Sequence, residues 1–439
     1  MITKIDTDNF KAFPTLSVQL RPITLFLGPN NSGKTSIIAP LRLLAQTLGN
    51  ADPAVPLLFD GPFGDFGTYR DCVYLNHRGR PMSIALEVGG EDSEITARLA
   101  AEFKYRTVRR ELVVREASLE SPPGIHLITL TLSSEGDRHL VTRLNGRPIP
   151  PAYRSRASEM ARLYTFIPRS LFFPWRYRRE GETWALAELL SVDEYDKLDD
   201  ALENASLAIS QALSTVDYVG AMRQPPERTY HQTGAARTRI GSSGENWAGL
   251  FVLDSSRPAT RRTIVPRLTA WLKQAGLASD IRLNWLSDRH YEIQLQHPLS
   301  GEYQNLADVG QANSQVIPVV VGGLRLPPES TYIMEEPEIH LHPAAQAELG
   351  DFLLDLRSRG IQAVVETHSE YLLLRLQQHV AAGRLSPDDV VFYYVDTTAA
   401  GKRVRELELD SKARFKEQLD GGFFPQRLDE ATMLARLRG

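Results

Sequence analysis

A single cysteine, Cys72, stands in a chain of 439 residues. One thiol excludes an intrachain disulfide framework and a cysteine-based zinc knuckle, and it suits a reducing compartment. No run of about eighteen apolar residues occurs, so no membrane-spanning helix is expected. The opening MITKIDTDNF lacks the apolar core of a signal segment. Together these absences predict a cytoplasmic protein without a membrane partner. An excess of one charge is also missing: the formal net charge is −4 and the pI about 6.2, so any nucleic-acid surface must be local. Internal repeats, low-complexity segments and sustained heptads are absent, which excludes a solenoid and a continuous coiled coil. What remains is 42% hydrophobic and 24% charged, an ordinary globular composition in a chain long enough for more than one domain.

Against that background one stretch carries chemistry. GPNNSGKTS, from Gly28 to Ser36, fits G-x-x-x-x-G-K-[ST] at Gly28, Gly33, Lys34 and Thr35. The run ITLFL before it has the β-branched and aromatic character of a buried strand. SIIAPLRLLAQTLG after it carries apolar residues at helical spacing. Strand, glycine-rich turn and helix make a phosphate cradle. The glycines let the backbone from Gly28 through Asn30, Asn31, Ser32 and Gly33 to Ser36 close around phosphate oxygens, and the helix N-terminus adds its positive end. Lys34 is expected to reach the β- and γ-phosphates, and the Thr35 hydroxyl to ligate Mg2+. The chain is therefore expected to bind ATP or a related triphosphate.

The second half of such a site needs acids at a strand end. TYIMEEPEIHLHP supplies them as Glu335, expected to hold Mg2+, and Glu336, expected to orient the attacking water. A long stretch separates them from Lys34. Residues 76–145 alternate as an antiparallel meander, with strand patterns at 83–88, 95–103, 112–114 and 126–132 and a turn at Asn145-Gly146. Helical spacing returns over 155–215, a loop-rich segment covers 218–245, and short strands are expected at 331–334, 361–365 and 390–395. The expected division is an N-terminal part of a nucleotide-binding head at 1–75, a β-plus-helical insertion at 76–260, and the rest of the head at 261–439. The expected class is α/β with a mixed sheet, split by that insertion.

NFKAF, LFLGPNNSGKTS, EEPEIHLHP and VVETHSEYLLLRLQ together resemble the ABC-type P-loop ATPases of the SMC/RecF superfamily. The bacterial group with the ATPase heads of OLD nucleases, and the ATPase subunits of anti-phage systems such as Septu and PARIS, are similar. YVGAMRQPPERTY, RIGSSGENWAGL and LADVGQANSQVIPVVV extend the resemblance, and GGFFPQRLDE is similar to a tail seen in one subgroup. The resemblance implies a Mg-dependent ATPase head that dimerises around ATP. It makes His368 the switch histidine at the γ-phosphate, beside the catalytic Glu336. It makes Asp308-Val309-Gly310-Gln311-Ala312-Asn313-Ser314-Gln315 the signature, with Gly310 and Ser314 completing the partner copy's ATP site. Ala312 stands where the subgroup carries a second glycine, and Glu335 where ABC proteins usually carry Asp. The implied setting is anti-phage defence, with a separate nuclease or toxin as effector, because the residues after His368 are too few for a fused nuclease domain. A RecF-like DNA clamp and a non-hydrolysing ATP-dependent scaffold stay open as alternatives.

Other constellations have plainer readings beside the chemical one. Glu338, His340 and His342 alternate like metal ligands, but fall in the loop after the acidic pair. Two basic–aromatic clusters, at 105–110 and 172–179, suit nucleic-acid contact and equally a solvated or partner-docking face. Arg223 and Arg228 are candidates for bridging to phosphate or a partner.

Overall fold

Every residue of Ile23–Leu27 is buried. A strand with no exposed side chain must sit inside a sheet covered on both faces, which is why this stretch is continuously apolar rather than alternating. In the computed structural model, which describes residues 1–90, 95–136, 138–158, 161–170, 190, 192–232, 238–399, 401–416, 433, 436 and 437, this strand is internal to a six-stranded sheet. The order is Val216–Val219, Thr331–Glu335, Gln362–Glu366, Ile23–Leu27, Val390–Thr398, Gly401–Leu407. Thr331–Glu335, Gln362–Glu366, Ile23–Leu27 and Val390–Thr398 run parallel, and the Gly401–Leu407 strand closes the edge as an antiparallel hairpin. The sheet is thus mixed, as expected. The three late strands appear where the apolar runs predicted them, each shifted or extended at an end.

The chain forms two compact units. One comprises Met1–Leu20 and Ser36–Val216, the other Arg21–Thr35 and Asp217–Gly439. The six-stranded sheet, apart from the first residue of Val216–Val219, lies in the second. Its core gathers the buried residues of the central strands with those of the Trp247–Ser255, Gln311–Arg325, Pro343–Ser358 and Glu370–Ala381 helices. A smaller antiparallel sheet of Tyr230–His231, Asp280–Trp285, His290–Gln296 and Tyr303–Asn305 belongs to the same unit.

The first unit is built on an eight-stranded antiparallel sheet. Its order is Arg147–Pro148, His139–Leu144, His126–Leu132, Glu111–Glu120, Ala97–Arg106, Met82–Val88, Ile2–Phe10, Phe13–Gln19. The meander expected from alternation at 76–145 is therefore present, and the two opening strands, which the sequence reading had placed in the head, pair into it. The Asn145-Gly146 turn has φ of 47° and 73°, the left-handed pair that a two-residue hairpin loop requires. The Val192–Ser214 helix packs on this sheet through Leu198, Leu202, Ala205, Ile209 and Leu213, one buried residue per turn. Among the described residues no helix is long and apolar enough to cross a membrane. The cluster at 172–179, the Phe423-Phe424 tail and most of the 183–190 helical pattern lie outside the described residues.

Close approach in the second unit depends on small residues. A Cβ at Gly323, on the Gln311–Arg325 helix, would stand 2.6 Å from Phe352 Cζ and 3.0 Å from Leu356 Cδ2. Both neighbours are buried and cannot swing into solvent. Gly323→Val should therefore destabilise the protein by about 1–3 kcal/mol, the usual cost of overpacking. Urea unfolding measures this, and an unchanged midpoint would contradict the packing described.

Candidate nucleotide site

The phosphate loop leaves the Ile23–Leu27 strand at a residue only glycine serves well. Gly28 has φ 142°, and a Cβ there would collide with the Val395 carbonyl oxygen. Asn31 (φ 62°) and Gly33 (φ 106°) complete the turn, and the helix begins at Lys34. Asn30 and Asn31 are exposed, and Lys402 Nζ donates to the Asn31 carbonyl at 2.8 Å. Ser32 is buried with a hydroxyl that has no hydrogen-bond partner. Lys34 is buried too, and its Nζ donates to the Gly28 and Pro29 carbonyls at 3.0 and 2.9 Å. Burial is the main influence on Lys34 and pulls its pKa down, against the field of Glu366, Glu336 and Glu338. Ser36 follows in the helix, half-buried.

The acids arrive through strand register. Glu335 pairs with Glu366 and Glu366 with Phe26, so three parallel strands end together at the phosphate loop. Ligands of parallel sheets collect at such carboxyl ends. Glu366 Oε2 accepts from the Thr35 hydroxyl at 2.9 Å, and its Oε1 lies 3.9 Å from Lys34 Nζ. Burial, then the neighbouring Glu335, pushes the Glu366 carboxyl up to about 7. Glu336 follows in the left-handed region, φ 43°, its N–H donating to the Glu366 carbonyl at 2.7 Å. A non-glycine residue held there costs about 1–3 kcal/mol and persists only where its surroundings enforce it.

His368 lies one residue past the next strand end. Its Nε2 is 3.8 Å from Glu336 Oε1, and its N–H donates to Glu338 Oε1 at 2.6 Å. Burial, then Lys34, holds the imidazole below its usual pKa and favours the neutral ring. Glu338 is buried and its carboxyl raised by desolvation. Arg223, also buried, donates from one guanidinium nitrogen to the Glu335 and Glu336 carbonyls at 2.7 and 2.9 Å.

The structure thus brings Lys34, Thr35, Glu335, Glu336 and His368 to one edge of the sheet. Glu366 and Glu338, to which the sequence reading gave no role there, join them. Glu366 could have been noticed as the acid ending a strand beside the phosphate-loop strand. Hydroxyl and carboxylate oxygens from Thr35, Glu366 and Glu335 are the hard donors Mg2+ takes, and the unsatisfied Ser32 hydroxyl and buried Lys34 ammonium fit a phosphate group.

The Asp308-to-Gln315 segment leads into the Gln311–Arg325 helix. Gly310 is the exposed N-cap residue of the Gln311–Arg325 helix, with open space where a Cβ would stand. Ser314 is buried and its hydroxyl donates to the Gln311 carbonyl at 2.9 Å. Arg228 grips the Asp308 carboxylate with both terminal nitrogens and thereby braces this segment. The alternating Glu338, His340 and His342 do not converge: Glu338 turns to His368, His340 is exposed, and His342 caps the Pro343–Ser358 helix. In the other unit, Tyr105 of the first basic–aromatic cluster stacks on Tyr69, while Arg106 pairs with Glu111 at 3.0 Å.

Two family models match the chain. "AAA ATPase domain" matches residues 1–118, and "AAA domain, putative AbiEii toxin, Type IV TA system" matches residues 238–375. Among solved structures, the chain is similar to the SMC head domain from Thermotoga maritima at 12% identity and TM-score 0.41, covering 93% of this chain and 99% of that one. An SmcHead bound to the C-winged helix domain of ScpA is similar at 13% identity and TM-score 0.43, covering 93% and 98%. No curated protein matches it in sequence. Both family matches are to AAA-type ATPase domains, one holding the phosphate loop and the other the acidic pair and His368.

The raised Glu366 carboxyl has a consequence for stability. Its folded-state pKa of about 7 exceeds the ordinary 4.5, so the group stabilises the fold below about pH 4.5 and that contribution is lost as pH rises through 7. For the metal- and nucleotide-free protein, Glu366→Gln should remove up to about 3 kcal/mol of the fall in unfolding free energy between pH 5 and 8. Equal pH dependence in the two proteins, measured by urea unfolding, would contradict the buried, repelled carboxylate.

Proposed function

We propose that the protein is an ATP-hydrolysing switch that dimerises around ATP and controls a separate effector. The observation that carries this reading is the convergence of Lys34, Thr35, Glu336 and His368 at the carboxyl ends of three parallel strands, with Glu336 and His368 3.8 Å apart. The backbone of Gly28, Asn30, Asn31, Ser32, Gly33 and Ser36 cradles the phosphates, and Lys34 bonds the β- and γ-phosphate oxygens. Thr35 and Glu335 would hold Mg2+, with Glu366 beside them. The ion neutralises phosphate charge when bound. Glu336 orients the attacking water and takes its proton. Neutral His368 donates a hydrogen bond toward the γ-phosphate and keeps the water against Glu336.

Dimerisation is supported by Gly310, whose exposed position at a helix N-terminus suits an anion arriving from outside the chain. In this reading Gly310 and the start of the Ser314 helix complete the site of a second copy. The description of the 238–375 match, a type IV toxin–antitoxin system, supports a defence setting in which a toxin or nuclease is the effector.

Lys34→Ala should abolish ATP binding, because the ammonium is the point charge on the phosphates. Glu336→Gln should bind ATP normally but hydrolyse it about 10²-fold or more slowly. Isothermal titration and single-turnover assays separate the two. Tight binding by the lysine variant, or full hydrolysis by the glutamine variant, would refute these roles. Gly310→Arg, at an open surface position, should leave ATP binding by the monomer intact while hydrolysis and ATP-dependent association fall together. Unchanged sedimentation with full activity would make the protein a monomeric ATPase.

A further inference from the structure

Glu336 stands in the left-handed region, and its backbone is held from two sides. Its N–H is taken by the Glu366 carbonyl at 2.7 Å. Its own carbonyl and that of Glu335 both accept from one guanidinium nitrogen of Arg223. In an extended strand successive carbonyls point to opposite sides. The left-handed turn at Glu336 brings two consecutive ones to the same side, where a single donor reaches both.

Arg223 is an unusual residue for that task. It is 6% exposed, and its Nε and second terminal nitrogen have no hydrogen-bond partner. Burying a guanidinium satisfied on one corner is costly, and a neutral donor would serve the carbonyls more cheaply. What a neutral group would lack is charge. Desolvation weakens the cation, and the opposing field that restores it includes Glu338 and Glu336. The segment that carries Arg223 is itself fixed: Gly220 N–H donates to the Ser242 carbonyl at 2.8 Å and Gln224 N–H to the Ser243 carbonyl at 2.9 Å. It leaves the Val216–Val219 strand, which neighbours the Thr331–Glu335 strand in the sheet.

We propose that Arg223 is the positioning residue for Glu336: its guanidinium locks the turn that aims the carboxylate at the attacking water and places a buried positive charge beside Glu336 and Glu338. In this role Arg223 acts through the Glu335 and Glu336 carbonyls. This rests on the ATPase reading above.

The test is a cycle on the full chain with Mg·ATP, including Arg223→Met, Arg223→Lys, Glu336→Gln and the Arg223→Met/Glu336→Gln double variant. Arg223→Met should lower single-turnover hydrolysis by about 10²-fold, the scale of a reacting group displaced by about 1 Å, with nucleotide Kd changed by less than about threefold. Arg223→Lys keeps the charge and one donor, and should recover part of that loss. The double variant should hydrolyse no more slowly than Glu336→Gln alone, because a misaimed base and an absent base are the same loss. If Arg223→Met does not fold, Arg223→Lys carries the comparison, with at least about a tenfold loss at unchanged Kd as the supporting result. Multiplying losses in the double variant, hydrolysis within about twofold of the unmodified protein, or a loss residing in Kd would overturn the proposal. Those results leave the ATPase reading standing if Glu336→Gln is slow. Full hydrolysis by Glu336→Gln would instead remove the reading itself.

Discussion

The parallel register of Thr331–Glu335, Gln362–Glu366 and Ile23–Leu27 is the constraint on which the site depends. Because Glu335, Glu366 and Phe26 stand level across the ladder, the residues that follow each strand emerge at one edge. Backbone hydrogen bonds then carry the alignment past the strands: Glu336 N–H reaches the Glu366 carbonyl, and Thr367 N–H reaches the Phe26 carbonyl at 3.1 Å. A one-residue slip in either pairing would turn Glu366 away from Thr35. Burial enforces the register, since Ile333, Met334, Val364, Val365, Leu25 and Phe26 are all essentially inaccessible.

That alignment concentrates charge where water is scarce. Glu335, Glu336, Glu338 and Glu366 share the edge with Lys34, Arg223 and His368. Desolvation raises the Glu366 and Glu338 carboxyls and lowers Lys34, Arg223 and His368, each toward its neutral form. Such a cluster is poor for stability in the empty protein and well suited to a highly charged ligand. The same groups that repel one another can each find an opposite charge or a hydrogen bond when phosphate and a divalent cation enter. The hydroxyl of Ser32, buried without a partner, belongs to the same pattern.

The antiparallel unit obeys simpler rules. Its strands alternate, its Asn145-Gly146 hairpin uses the turn chemistry the dipeptide announces, and its long helix covers one face with a regular apolar stripe. Arginines there are tied into the fold: Arg106 pairs with Glu111 and bonds the Gly136 carbonyl at 2.9 Å, and Arg98 pairs with Asp6 at 2.9 Å.

Local chemistry was legible from residues alone. Glycines with positive φ, a lysine at a helix start, apolar runs too short for anything but buried strands, and adjacent acids at a strand end announce themselves because each depends on nearest neighbours. Pairing over long distances did not. Nothing near Ile2–Phe10 reveals that it joins a meander beginning at Met82, and nothing near Glu366 states that its strand lies between Ile23–Leu27 and Thr331–Glu335. Arg223 shows the same limit. In the sequence it is one arginine among Pro-rich loop residues, and only the sheet places it under the Glu335 and Glu336 carbonyls. The sequence by itself determined which groups could bind phosphate and handle a proton, since that is a property of side chains and short turns. Tertiary structure decided which of them meet, because register and burial are settled between segments hundreds of residues apart and by the whole core at once.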